Sequence, residues 1–80
     1  MNLKNISAGD FVKALEKDGF ALRRQKGSHR TYKHPVTDRQ VTLSYHHSGY
    51  ILRTGILNSL IEDAGWTEND LLRLKLNRKG

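Results

Sequence analysis

Between Ala8 and Asp18 the apolar residues Ala8, Phe11, Val12 and Leu15 recur three and four apart, the spacing that lines one side of an α-helix. Ser7, followed three positions later by Asp10, forms a short-armed capping box, and Ile6 and Phe11 are placed for a hydrophobic staple around it. Gly19 is a natural stop after Asp18, so the pattern predicts a first helix over 8–18 with its apolar stripe inward. The period then falls to two. Phe20, Leu22 and Arg24 alternate with Ala21, Arg23 and Gln25, which predicts a strand with one half-buried face. Lys26-Gly27-Ser28 breaks the alternation as a turn. A second strand over 29–34 sets His29, Thr31 and Lys33 on one face and Arg30, Tyr32 and His34 on the other, with Tyr32 as the inward anchor. Pro35 to Asp38 reads as a hairpin connection to a third strand over 40–45, in which Val41, Leu43 and Tyr45 point together.

A polar loop, His46 to Gly49, ends the sheet. Thr54 is placed to cap a second helix whose Ile56, Leu57, Leu60, Ile61 and Ala64 form an apolar stripe stopped by Gly65. Trp66 is expected to pack back on that helix end. Thr67 with Asp70 opens a short further helix carrying Leu71, Leu72, Leu74 and Leu76, leucines available to the core or to a partner, and 77–80 reads as frayed. The order is α-β-β-β-α with a small helical appendix, an α+β arrangement in one domain over 1–80. Both main helices can cover one face of a three-stranded antiparallel sheet and leave the other open.

Charge changes this picture from a fold into a partner. The net charge is +6, and six of the fourteen lysines and arginines lie between Arg23 and Arg39 against a single acid, Asp38. Such a cluster attracts a polyanion by releasing its counterions. Nucleic acid is the first partner it suggests and an acidic protein the second. Eighty residues without cysteine must be held by a small core, with neither disulfides nor thiolate zinc to help. The sequence has no apolar run of spanning length and no signal-peptide pattern, so the expectation is a cytoplasmic protein with no membrane partner.

The basic segment also carries chemistry. His29 can give or take a proton near neutral pH. Gly27 lets a phosphodiester approach the backbone closely, and Ser28 adds a hydroxyl and an N–H. Arg23, Arg24, Lys26, Arg30 and Lys33 are candidate phosphate contacts. Ser28 and His29 are adjacent and point to opposite faces once the strand begins, which disfavours a serine–histidine–acid triad. His34, His46 and His47 come without cysteine, without an H-E-x-x-H pattern and with scattered acids, so no metal or cofactor is expected. Cleavage without metal favours RNA, whose 2′-hydroxyl is an internal nucleophile. The plainer alternative is a non-catalytic RNA-binding module, in which the glycine serves the turn and the histidine is an exposed polar residue.

Several segments in order are family-like. KDGF (Lys17 to Phe20) resembles a K-x-G-F helix end. RRQKGSHRTYKHP (Arg23 to Pro35) resembles a basic strand, G-S-H and second strand. VTLSYH (Val41 to His46) is similar to V-T-V-P-x-H, and RTGILNSLIEDAGWTENDLL (Arg53 to Leu72) to a G-T-L-x-x-I-L-x-x-A-G helix and tail. Together they resemble the HicA family of type II toxin–antitoxin toxins, small messenger-RNA interferases. The resemblance implies a double-stranded-RNA-binding-domain-like α-β-β-β-α fold, messenger-RNA cleavage with His29 as catalytic residue, and neutralisation by a HicB-like antitoxin covering the site. It also implies an RNA-facing role for His46. Ser44 stands where the family has proline, Tyr50-Ile51-Leu52 replaces a lysine-rich loop, and Ile56 takes a threonine's place.

Overall fold

The computed structural model describes residue 3 and residues 5–76; the predicted frayed end at 77–80 lies outside them. The first helix, α1 (Ala8–Lys17), begins as its sequence predicts: Asp10 N–H donates to Ser7 Oγ at 3.1 Å and Ser7 N–H to Asp10 Oδ2 at 3.4 Å. Ile6 and Phe11, the predicted staple, are both fully buried. Two further amides at this end are satisfied from across the fold, Ala8 N–H by the Tyr50 carbonyl at 2.7 Å and Gly9 N–H by the Ser48 carbonyl at 2.9 Å. A Cβ on Gly9 would stand 2.9 Å from that Ser48 oxygen, so only glycine permits the backbones to come this close. The 46–49 loop therefore also closes over the N-terminus of α1.

Three antiparallel strands follow, β1 (Ala21–Lys26), β2 (His29–Lys33) and β3 (Gln40–Ser44), in the order β1-β2-β3. The predicted hairpin connection between β2 and β3 is present, with Asp38 in the left-handed region at φ 64°. Tyr32, Val41 and Leu43 turn into a core shared with α1, with α2 (Thr54–Ala64) and with the leucines of α3 (Glu68–Arg73) and its tail. The α+β, α-β-β-β-α layout with one open sheet face is the predicted one.

Some expectations change. Every residue of β1 is exposed, because α2 packs against β3, at the other edge of the sheet, and the register shifts between Leu22 and Arg24: Leu22 pairs with Tyr32 while Arg24 pairs with Thr31. This bulge puts Leu22 and Arg24 on opposite faces, where plain alternation had them together. In α2 the buried stripe is Leu57, Leu60, Ile61 and Ala64, and Ile56 is half exposed, since the residue before Leu57 sits about 100° around the helix. Thr54 is the first helical residue and Arg53 the N-cap, without a side-chain cap bond. Trp66 reaches across to α1, its ring 5.1 Å from that of Phe11 and 6.3 Å from that of Phe20. Leu71, Leu74 and Leu76 belong to the core and Leu72 is exposed.

One carboxylate fastens the two ends of this layer. Asp18, the C-cap of α1, accepts the indole N–H of Trp66 at 2.7 Å through one oxygen and the Arg73 guanidinium through the other. His34 fastens the same corner to the sheet. Its Nε2 lies 2.9 Å from the Asp18 carbonyl, while Nδ1 accepts from Val36 N–H at 3.1 Å and Thr37 N–H at 3.3 Å. With Nδ1 accepting, Nε2 is the atom that donates. This histidine is a structural one.

The helix start expected at Thr67 and Asp70 is present and takes the form of a capping box, and Arg73 also pairs with Asp70 at 2.9 Å. The Thr67 backbone N–H, and after it the Arg73 side chain, hold the Asp70 carboxyl below the ordinary value of 3.8. A depressed carboxylate stabilises the fold fully above its unfolded pKa, and the contribution is lost as pH falls through the folded one. Acid titration followed by Trp66 fluorescence is expected to loosen α3 below pH 3.8. In Asp70→Asn that phase should be missing. An unchanged titration in the variant would assign it to another group.

Candidate functional site

The open face of the sheet is where the basic segment lands. Side chains alternate across a strand, so His29, Thr31 and Lys33 project away from the helices while Arg30 and Tyr32 project toward them. On β1 the bulge makes both Arg23 and Arg24 line this open side. Arg24, Lys26, His29, Thr31, Gln40 and Thr42 line a concavity of about 340 Å³. A second hollow of about 330 Å³ is lined by Arg23, Arg24, Thr31 and Gln40. The two share three residues and form one trough. Its floor is the Thr31–Thr42 hydroxyl pair, 2.9 Å apart. No carboxylate is among the lining residues, so three basic side chains act across a short distance with nothing in the trough to neutralise them.

His29 sits at one end, beside the β1–β2 turn, paired with Lys26 on one side and Ser44 on the other. Gly27 holds φ 59°, a left-handed conformation that glycine adopts without cost. A Cβ there would meet nothing within 4 Å, so the glycine is demanded by the turn and the space beside it is open to a ligand. The Ser28 carbonyl accepts Tyr45 N–H at 2.6 Å, which pins the turn to the end of β3. A donor-rich turn, a histidine and three cations around one hollow can bind a phosphodiester and exchange a proton with it.

The remaining predicted residues stand outside the trough lining. The Arg30 guanidinium lies on the helix side, 3.8 Å over the Tyr45 ring centroid, with Nη1 donating to the Tyr32 hydroxyl at 3.4 Å. Lys33 faces the open side but is ion-paired with Asp38 at 2.9 Å. That hydrogen bond, with the Lys33 and Arg23 charges, holds the Asp38 carboxyl below its ordinary range. His46 is exposed and packs edge-on against Tyr50, ring centroids 4.8 Å apart. Thr31, Gln40 and Thr42 were not expected in the site. The signal for them is the β2–β3 register, His29 opposite Ser44 and Lys33 opposite Gln40, which brings alternate β3 residues onto the same face.

Among the described residues no group of three His, Cys, Asp or Glu converges to hold a metal ion, and no helix is long and apolar enough to cross a membrane. No curated protein matches the chain. A family model described as the HicA toxin of bacterial toxin–antitoxin matches residues 8–66, from the start of α1 through the trough and α2 to Trp66. With the match spanning most of its length, the chain belongs to the HicA family, the toxins of bacterial toxin–antitoxin systems.

Proposed function

We propose that this toxin is an endoribonuclease that cuts messenger RNA at His29 without a metal ion. The observation that supports it most is the placement of His29 in a basic, carboxylate-free trough next to the open Gly27–Ser28 turn. The His29 imidazole takes the proton of a ribose 2′-hydroxyl, and the 2′-oxygen attacks the adjacent phosphorus. The bond to the 5′-oxygen then breaks, and that oxygen takes a proton from the imidazolium or from water. The products are a 2′,3′-cyclic phosphate and a 5′-hydroxyl. Arg24 and Lys26, beside the Gly27–Ser28 turn, hold the phosphate oxygens as charge develops, and Arg23 holds a neighbouring phosphate. Lys33 and His46, outside the trough lining, reach RNA only where it passes the rim, and Arg30, turned to the helix side against Tyr45 and Tyr32, takes no part.

Membership of the family gives the protein an antitoxin as partner. We take this to be a HicB-like protein whose surface covers the trough, and the place of action to be the cytoplasm, where messenger RNA is. The test is incubation of purified protein with labelled single-stranded RNA in EDTA. The expected result is cleavage with cyclic-phosphate ends, and resistance of a substrate carrying 2′-deoxyribose at the cut. RNA that shifts on a gel but stays intact would replace this reading with a non-catalytic RNA-binding module.

A further inference from the structure

Arg23, Arg24 and Lys26 offer only donors and positive charge, which position a nucleic acid without reading its sequence. Gln40 is different. It lines both hollows of the trough. Its amide carries a donor and an acceptor in one plane, the combination that matches a base edge. Among the described residues that amide makes no hydrogen bond, and the residue is exposed. The other neutral polar groups on the trough floor, the Thr31 and Thr42 hydroxyls, are bonded to each other at 2.9 Å. Gln40 is thus the uncommitted neutral side chain in a trough otherwise made of cations, His29 and a satisfied threonine pair.

Its distance from the histidine gives it a place on the substrate. Gln40 pairs with Lys33, and His29 pairs with Ser44, so the two lie at opposite ends of the β2–β3 ladder, about 13 Å apart along the strands at ~3.3 Å per residue. Arg23 and Arg24 stand beside Gln40 in the second hollow, where they can hold the phosphate next to the base it contacts. An RNA strand with its scissile phosphate at His29 would run along the trough and set a flanking base over Gln40.

We propose that Gln40 is a specificity-determining residue that hydrogen-bonds the base edge of a flanking nucleotide, one not joined by the scissile bond. This rests on the reading of His29 as the cleavage site. The experiment is cleavage of a sequence-randomised RNA pool by the purified protein, with the cut ends mapped by sequencing, for the wild type, Gln40→Ala and Gln40→Glu. In the wild type one flanking position is expected to show a base preference. In Gln40→Ala that preference should fall about fivefold while preferences at other positions keep their order. In Gln40→Glu, which keeps an acceptor and loses the donor, the favoured base at that position should change. A preference pattern identical in all three proteins, a wild type that cuts without preference, or a loss spread evenly over all positions would overturn the assignment of Gln40 and leave His29 as the cleavage site. Absence of any cleavage by the wild type would instead overturn the reading of the site itself, and the role of Gln40 with it.

Discussion

Replacing His29 by alanine is expected to abolish RNA cleavage and growth arrest, lowering the rate by about 10²–10⁴-fold or more, the usual contribution of a positioned acid–base group. The fold should be untouched. His29 is exposed on the open face, and its removal leaves no buried group unpaired, so thermal unfolding should match the wild type to within about 0.5 kcal/mol. RNA should still shift on a gel, because the arginines and Lys26 remain. His34→Ala is the informative contrast. That ring holds the Asp18 carbonyl and two amides of the β2–β3 connection, so its loss should lower stability, with any fall in activity following the folded fraction. Full nuclease activity in purified His29→Ala would remove the histidine from the mechanism.

Replacing Asp18 by alanine is expected to be the most destabilising change of a charged residue, at about 2–4 kcal/mol. The side chain is only 17% exposed, and both oxygens are used, one by the Trp66 indole N–H and one by Arg73. Alanine would leave a largely buried N–H without an acceptor and a guanidinium with only Asp70. Asp18→Asn, which keeps one acceptor oxygen, should fall between the wild type and Asp18→Ala. Chemical denaturation of the three proteins measures this directly. A loss in Asp18→Ala below about 0.5 kcal/mol, ordinary for a surface site, would show that the bonds to Trp66 and Arg73 contribute little net energy.

How much of this can be read in the sequence depends on the range of the interaction concerned. The capping boxes of α1 and α3, the stop at Gly65 and the inward Tyr32 are legible because each is fixed by residues within a few positions. The charge cluster and the turn at Gly27 make the position of His29, beside that turn and next to Arg24 and Lys26, legible for the same reason. Gln40 and Thr42 are not, since their place in the trough depends on a strand register that local alternation leaves open. The bulge at Leu22/Arg24 is also hidden: Leu22 and Arg24 look like one face until the partner strand is known. The separation of His29 from His34 is legible as opposite faces. That His34 is tied to Asp18 is not, because the two lie on different elements, 16 residues apart.

The latch at Asp18 bears on the lifetime of the toxin. The sheet is a succession of neighbours, β1 to β2 to β3, whose short connections close with little entropy loss. The bonds from Asp18 to Trp66 and Arg73 join positions 48 and 55 residues apart, and contacts of that separation cost the chain more to bring together. On this ordering the sheet that carries the basic trough assembles first and the latch closes last. Interactions absent from the folding transition state act on unfolding and leave the folding rate nearly unchanged. Asp18→Ala is therefore expected to speed unfolding of the free toxin and shorten its survival against proteases, while leaving its folding rate nearly unchanged.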